Sequence, residues 1–219
     1  MSIGAVIVAA GRSARMGGVD KLLHPIAGQA LIAHTVAAFL SHAAIDQIAL
    51  VVSTENRSAV EAAVGADPKL HVVLGGERRR DSVHAGLVTM TACDYVVVHD
   101  GARPLVTREL IDAALAGARE CGAALCAVPV TDTLKRGDAS GHVHTTIARE
   151  GLWLAQTPQA FRLDLLLRAH EAVEGDITDD AAMVEHLGAP VKLVQGSRRN
   201  IKLTTLEDLA LVEALLLLP

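Results

Sequence analysis

The sequence predicts an α/β fold: a Rossmann-like, mostly parallel sheet flanked by helices, with a protruding β-arm. Three observations predict it. Short, continuous apolar runs alternate with stretches of helical periodicity, the first run opens into a loop of small residues and glycines, and one polar segment interrupts the alternation. The apolar runs cover residues 4–10, 48–52, 71–74, 95–99 and 123–130. They are rich in Val and Ile without strict alternation, as strands covered on both faces are. Between them, residues 31–40, 58–64, 82–90 and 108–119 place apolar side chains at helical spacing. Repeated β-α units of this kind build a parallel sheet, whose ligands bind beyond the carboxyl ends of the strands.

After residue 130 the pattern changes. Residues 131–154 mix polar and β-branched residues around Gly137, Ser140 and Gly141, so 134–136 and 142–148 are expected to pair as a hairpin. Too little of this segment is apolar to join the main core, and it reads as an arm that packs on a second subunit. Beyond it, 163–173 and 179–186 read as helices, 191–193 as a strand and 205–217 as a closing helix. The whole of 1–219 is expected to form a single domain with the arm as an insertion at about 131–154.

Composition narrows the partners. The chain has 219 residues, 51% hydrophobic and 21% charged, which is the balance of a chain able to bury a core. A net charge of −5, with Trp153 and Tyr95 the sole residues of their types, leaves little for a basic groove with stacking aromatics. Nucleic acid is therefore not an expected partner. Cys93, Cys121 and Cys126 form no Cys-x-x-Cys pair and lie in or beside apolar stretches, as buried thiols of a reducing compartment do. The apolar stretches 3–10 and 215–218 are too short for a secretory core or a membrane span. The expected location is the cytoplasm, with no membrane association.

The segment after the first strand carries most of the chemistry. Ala9, Ala10 and Gly11 lead through Arg15 to Gly17, Gly18 and Lys21. Small residues let a backbone bring its N–H groups close to phosphates, and Arg15 and Lys21 add positive charge. Composition alone leaves a plain βα loop as the alternative. The segment lacks Gly-x-Gly-x-x-Gly and a Gly-Lys-Ser/Thr ending, so it is neither a dinucleotide fingerprint nor a Walker-type loop. Asp100 follows an apolar strand, where a carboxylate either holds Mg²⁺ against triphosphate oxygens or caps the next helix. Gly76, Glu77, Arg79 and Ser82 form a polar turn opening a helix, which on its own reads as a solvated basic turn with Ser82 as a cap. His142 and His144 share one face of the arm without a third ligand and are read as surface residues.

Ala9-Ala10-Gly11, Arg15-Met16-Gly17 and Lys21 resemble the signature loop of nucleotidyltransferases that activate sugars and polyols. Further motifs follow in order: Gly75-Gly76-Glu77-Arg78-Arg79-Arg80-Asp81-Ser82, His99-Asp100-Gly101-Ala102-Arg103-Pro104, Asp132-Thr133-Leu134-Lys135, Thr157-Pro158-Gln159, Thr178-Asp179-Asp180 and Asn200-Ile201-Lys202. Together they closely resemble the 2-C-methyl-D-erythritol 4-phosphate cytidylyltransferase family of the non-mevalonate isoprenoid pathway, over essentially the whole chain. Ribitol 5-phosphate cytidylyltransferase is the alternative, differing in the polyol.

The resemblance implies transfer of CMP from CTP to a polyol phosphate with release of pyrophosphate, a divalent metal such as Mg²⁺, and a homodimer joined through the arm. It implies catalytic roles for Arg15, Lys21, Arg149 and Lys202. It places Ala9, Ala10, Gly11, Gly76, Glu77, Arg79, Ser82, Asp100 and Gly101 on the nucleotide, with Asp100 also on the metal. Arg103, Thr133, Thr157 and Thr178 fall on the acceptor side, although Thr178 and Asp179 also suit a helix cap. Thr133 and Arg149 serve the neighbour's site if the arm embraces the partner. The chain departs from the family in two stretches. Asp20-Lys21-Leu22 replaces the usual Pro-Lys-Gln, and Ser197-Arg198-Arg199 precedes Asn200 where an acidic residue is common.

Overall fold

The computed structural model describes residues 1–11, 20–90, 92–175 and 177–216. In chain order the first half runs β1 (Ile3–Ala9), a 3-10 turn (Lys21–Leu23), β2 (Pro25–Ile26), β3 (Gln29–Ala30), α1 (Leu31–Leu40), β4 (Gln47–Val52), α2 (Arg57–Val64), β5 (Leu70–Leu74), α3 (Arg79–Leu87) and β6 (Tyr95–Asp100). The second half runs α4 (Arg108–Cys121), β7 (Ala123–Pro129), β8 (Leu134–Gly137), β9 (Val143–Ile147), β10 (Trp153–Arg162), α5 (Leu163–Ala172), α6 (Asp180–His186), β11 (Lys192–Gln195) and α7 (Leu206–Leu216).

Among the described residues the main sheet has seven strands in the order β11-β7-β10-β6-β1-β4-β5. The chain leaves β1 toward β4 and β5, then returns to place β6 on the other side of β1. That reversal opens a crevice at the carboxyl ends of β1 and β6, the place where open α/β sheets take ligands. Successive residues of β1 point to opposite faces. Ile3, Ala5, Ile7 and Ala9 join the core under α1, α2, α4 and α7, while Val6 joins the core under α3, α5 and α6. Helix ends follow local chemistry: α4 stops at Gly122, whose φ of 98° is a left-handed conformation that glycine adopts without a Cβ penalty.

The predicted strands and helices are present, with boundaries moved by a few residues. Strand β10 is the strand of the main sheet that the sequence reading missed. It is antiparallel to both β6 and β7 in an otherwise parallel sheet. Its middle, Gln156-Thr157-Pro158-Gln159, is polar and contains a proline, which argues against an interior strand. The structure resolves this with a register shift between Ala155 and Gln159. There the buried polar side chains bond to neighbouring loops instead of the sheet: Gln156 Nε2 donates to Ser197 O (2.9 Å), and Gln159 Nε2 donates to Asp179 Oδ2 (3.0 Å).

Strands β8 and β9 form the expected hairpin, Leu134 opposite Ile147 and Arg136 opposite Thr145. Its residues are exposed except for half-buried Leu134 and Ile147. Trp153 and Leu154, at the end of the segment read as the arm, pair with Pro129 and Val128 in the main sheet. No helix among the described residues is long and apolar enough to cross a membrane.

Helix α4 lies close to the sheet because Gly117 has no side chain. A Cβ there would meet the Ala124 Cβ at 2.7 Å and Val194 Cγ1 at 2.8 Å, both on stiff groups. Gly117→Ala is expected to lower unfolding stability by about 1–3 kcal/mol, the overpacking cost outweighing the gain of up to ~1 kcal/mol in helix propensity. Urea denaturation checks this, and an unchanged or higher midpoint contradicts it.

Candidate active site

The carboxyl ends of β1, β4, β5 and β6 meet around a cavity of about 640 Å³. One wall is Val8, Ala9, Ala10 and Gly11 leaving β1, and the facing wall is Gly75 to Arg79 leaving β5. The two walls approach closely at Gly75. A Cβ there would stand 2.6 Å from Ser82 Oγ and 2.8 Å from the Ala10 Cβ. Arg78 occupies the N-cap position of α3: its backbone N–H donates to Asp81 Oδ2 at 3.3 Å, and its Nε donates to the same oxygen at 2.9 Å. Ser82 is therefore not the cap. It lies within the first turn of α3, lines the cavity and donates to Gly76 O at 3.4 Å.

Asp100 ends β6 on the cavity floor, its side chain 11% exposed. Helix α4 takes Thr107 as its N-cap, so capping does not account for Asp100. Three cations converge on its carboxylate: Lys202 Nζ at 2.9 Å, Arg79 Nε at 3.5 Å and Arg103 Nε at 3.5 Å. Burial pushes the Asp100 carboxyl up, but Lys202, Arg79 and Arg103 together outweigh it and hold the carboxyl well below the usual carboxylate range. The group is a permanent anion at neutral pH. Its backbone N–H donates to Thr157 Oγ1 at 3.0 Å, which fixes the turn that presents it. Behind it, burial pushes His99 down to about 4, and the neutral ring bonds Arg103 O through Nε2 at 3.1 Å.

Lys202 arrives on a loop anchored at several points. Gln156 accepts from Ser197 N (3.2 Å), fully buried Asn200 donates to Thr157 O (2.7 Å), and Leu203 N donates to Ala102 O (2.8 Å). Arg103 Nη1 donates to Asn200 O at 2.8 Å, tying the loop to the turn after β6. Lys21 Nζ donates to Leu203 O at 2.9 Å, so both lysines converge on one stretch of backbone. Asp20, a departure from the family pattern, caps the Lys21 turn at Leu22 N (3.0 Å) and accepts from Asn56 Nδ2 (2.9 Å). Arg198, the other departure, donates to Pro129 O and Thr131 Oγ1, both at 3.1 Å, and so joins the Lys202 loop to the root of the hairpin.

The cavity lining includes Ala9, Ala10, Gly11, Lys21, Gly76, Glu77, Arg79, Ser82, Asp100 and Lys202. Arg15 lies outside the described residues. Gly101 turns inward, donating to Val8 O and accepting from Thr35, and Ala102 lines the cavity beside it. Arg103 and Thr157 stand behind Asp100 as its supports. Thr133, Arg149 and Thr178 are exposed and do not line the cavity, with Arg149 donating to Thr131 O at the hairpin root. Ser53, Thr54 and Glu55 complete the rim. Sequence reading passed over them, although their place directly after β4 puts them at a strand's carboxyl end.

No group of three or more His, Cys, Asp or Glu able to hold a metal occurs among the described residues. An ionised carboxylate at a cavity large enough for a nucleotide nevertheless fits Mg²⁺, which keeps waters and takes its remaining oxygens from substrate phosphates.

A glycine-bearing wall, a buried anion and a ring of cations at the switch point of an open α/β sheet define a nucleotidyltransferase-type phosphate site. The sequence model of the 2-C-methyl-D-erythritol 4-phosphate cytidylyltransferase family matches residues 3–217, and the chain belongs to that family. A relative of that name from Dehalococcoides mccartyi strain 195 is 45% identical over 98% of this chain and 96% of its own length. The bifunctional enzyme IspD/IspF of Desulforudis audaxviator is 47% identical over 97% of this chain, which spans 56% of that longer protein. Among solved structures, 4-diphosphocytidyl-2C-methyl-D-erythritol synthase from Anaerococcus prevotii superimposes with a TM-score of 0.86 at 30% identity, covering 98% of this chain and 96% of that one. These matches favour the methylerythritol reading over the ribitol one.

Under the site, burial also pushes His170 down to about 4; Arg79, Arg80, His84, Asp81 and Asp180 face it. A histidine held below its ordinary 6.5 leaves the unfolded chain binding the extra proton between about 4 and 6.5. Its stabilising contribution is complete above that window and is lost as pH falls through it. Unfolding free energy is expected to fall by up to ~1.4 kcal/mol per pH unit for such a group. His170→Gln is expected to flatten that slope between pH 6.5 and 4.5, and identical slopes in the two proteins contradict the assignment.

Proposed function

We propose that the chain transfers CMP from CTP to 2-C-methyl-D-erythritol 4-phosphate and releases pyrophosphate, with the Asp100 cavity as its reaction site. The convergence of Lys202, Arg79 and Arg103 on one carboxylate, with Lys21 lining the same cavity, carries the reading, in a chain of the cytidylyltransferase family. The acceptor needs no general base. A phosphate monoester has a second pKa of about 6 and is largely a dianion at neutral pH. Nor does the reaction need a covalent nucleophile, and burial pushes the Cys126 thiol up to about 12.

The barrier is the approach of one anion to the α-phosphorus of another, so catalysis is positioning and charge neutralisation. Lys21, with Arg15, neutralises the charge developing on the α-phosphoryl group and the departing pyrophosphate. Lys202 orients the attacking phosphate, with Arg149. The backbone at Ala9, Ala10 and Gly11 holds the triphosphate, with Arg79 on its phosphates, while Gly76, Glu77 and Ser82 frame the nucleoside and Gly101 supports the wall from behind. Arg103, Thr133, Thr157 and Thr178 belong to the acceptor side. Mg²⁺ entering with the nucleotide, held by Asp100, would supply further neutralisation of the triphosphate oxygens.

Arg149 and Thr133 are exposed and do not line the cavity of their own chain, which supports a homodimer in which the hairpin reaches the partner's site. Exposed Val143, Leu152, Trp153 and Leu154 give that arm and its root apolar surface to cover. The reading takes 1–219 as one domain with the arm at about 131–154, working in the cytoplasm, where three free cysteines stay reduced.

Pyrophosphate release measured with CTP and each polyol phosphate separately tests the reading. Turnover is expected with 2-C-methyl-D-erythritol 4-phosphate, and preference for ribitol 5-phosphate would overturn it. Lys21→Ala is expected to keep the fold and lose roughly 100- to 1,000-fold in kcat, as removal of one preorganised donor does. Near-normal turnover in that variant removes Lys21 from the mechanism.

A further inference from the structure

Asp180 is fully buried between α3, α5 and α6, and the reaction as described gives it no part. Its Oδ2 accepts from Arg79 Nη1 at 2.8 Å, while Oδ1 has no hydrogen-bond partner. The His170 ring stands 3.8 Å from that oxygen without bonding it. A guanidinium keeps its charge at neutral pH, and although burial pushes the Asp180 carboxyl up, the 2.8 Å contact with a permanent cation is that of an ion pair. The segment bearing Asp180 is itself held rigidly. Gln159 Oε1 accepts from Ala181 N (3.1 Å), and Asp179 Oδ1 accepts from Ala182 N (3.0 Å).

Arg79 therefore spans two carboxylates, one sealed in the core and one in the cavity. Its Nε lies 3.5 Å from Asp100, a loose contact open to exchange when another anion enters. The bond to Asp180 is shorter and closed to water, so it persists. Buried ion pairs are weak sources of stability, and fixing a geometry is the use to which this one is suited.

We infer that Asp180 is a positioning residue that orients the Arg79 guanidinium toward the phosphates of the bound nucleotide; the inference rests on the proposed CTP site. Arg79 offers a planar fork of donors, whose value to a phosphate depends on its orientation. Asp180 locks that orientation before the nucleotide arrives, and it touches neither substrate.

The test measures Mg²⁺–CTP binding by calorimetry and steady-state pyrophosphate release in the full chain, for Asp180→Asn, Arg79→Ala and the double variant. Asp180→Asn keeps the side chain's shape and removes its charge. It is expected to raise the Kd and KM for CTP about tenfold, the loss of one charge-assisted bond, and to leave the KM for the acceptor unchanged. In the Arg79→Ala background the same substitution is expected to add no further loss in CTP binding. It should also restore part of the thermal stability that Arg79→Ala loses by leaving a buried carboxylate unpaired. Wild-type CTP affinity in Asp180→Asn, or losses that multiply in the double variant, would overturn the inference. If Asp180→Asn does not fold, Asp180→Glu replaces it: charge retained but displaced predicts weakened CTP binding in a folded protein of lower Tm, and normal binding overturns it. Failure of the wild-type chain to release pyrophosphate would defeat the proposed reaction instead, and the CTP Kd values would still decide the role of Asp180.

Discussion

The carboxylate of Asp100 and the cations drawn to it are the constraint around which the rest of the structure is arranged. Lys202, Arg79 and Arg103 come from three separate segments, and at low dielectric they would repel one another without an anion between them. Asp100 makes their convergence possible in the absence of substrate. It also leaves the cluster with more positive than negative charge, a field suited to a triphosphate and an incoming phosphate. The substrate phosphates, on the proposed reading, take over the neutralising work that Asp100 does in the free chain.

The fold supplies the rigidity that such a cluster needs. Asp100 stands at the carboxyl end of a central strand beside the switch point, and its backbone is pinned by Thr157 from the reversed strand β10. The same irregular stretch of β10 anchors the Lys202 loop through Gln156 and Asn200, and anchors the start of α6 through Gln159. A polar interruption that weakens β10 as a strand is thus the junction between the site's two halves. Arg198 extends that junction to the hairpin root, where Arg149 also bonds Thr131. Arg149 and the Lys202 loop, which the proposed reading puts on the acceptor side, are thereby linked through Thr131.

Much of this was legible in the sequence, and the illegible parts share a physical cause. The five apolar runs identified β1, β4, β5, β6 and β7, because strands buried on both faces leave a strong hydrophobic signal. Glycines and cations directly after those runs identified Ala10, Lys21, Gly76 and Asp100 as cavity residues. Strand β10 was hidden because Gln156, Thr157 and Gln159 are buried by bonding to distant loops, which no local pattern records. For the same reason Ser82 and Asp100 each kept two readings until α3 and α4 were seen to take Arg78 and Thr107 as caps. Asp180 looked like part of a helix start, and its partner Arg79 lies 101 residues earlier in the chain.

A crystal structure of the chain with CTP and Mg²⁺ bound tests the central claim most directly, because it shows what becomes of the contacts on Asp100. The account predicts the triphosphate against the Ala9–Gly11 backbone, with Lys21 on its phosphates and the metal between them and Asp100. Arg79 should still bond Asp180, and Lys202 should have left Asp100 to face the acceptor position. A nucleotide bound elsewhere, or Asp100 still holding Lys202 with no contact to the metal, would contradict it.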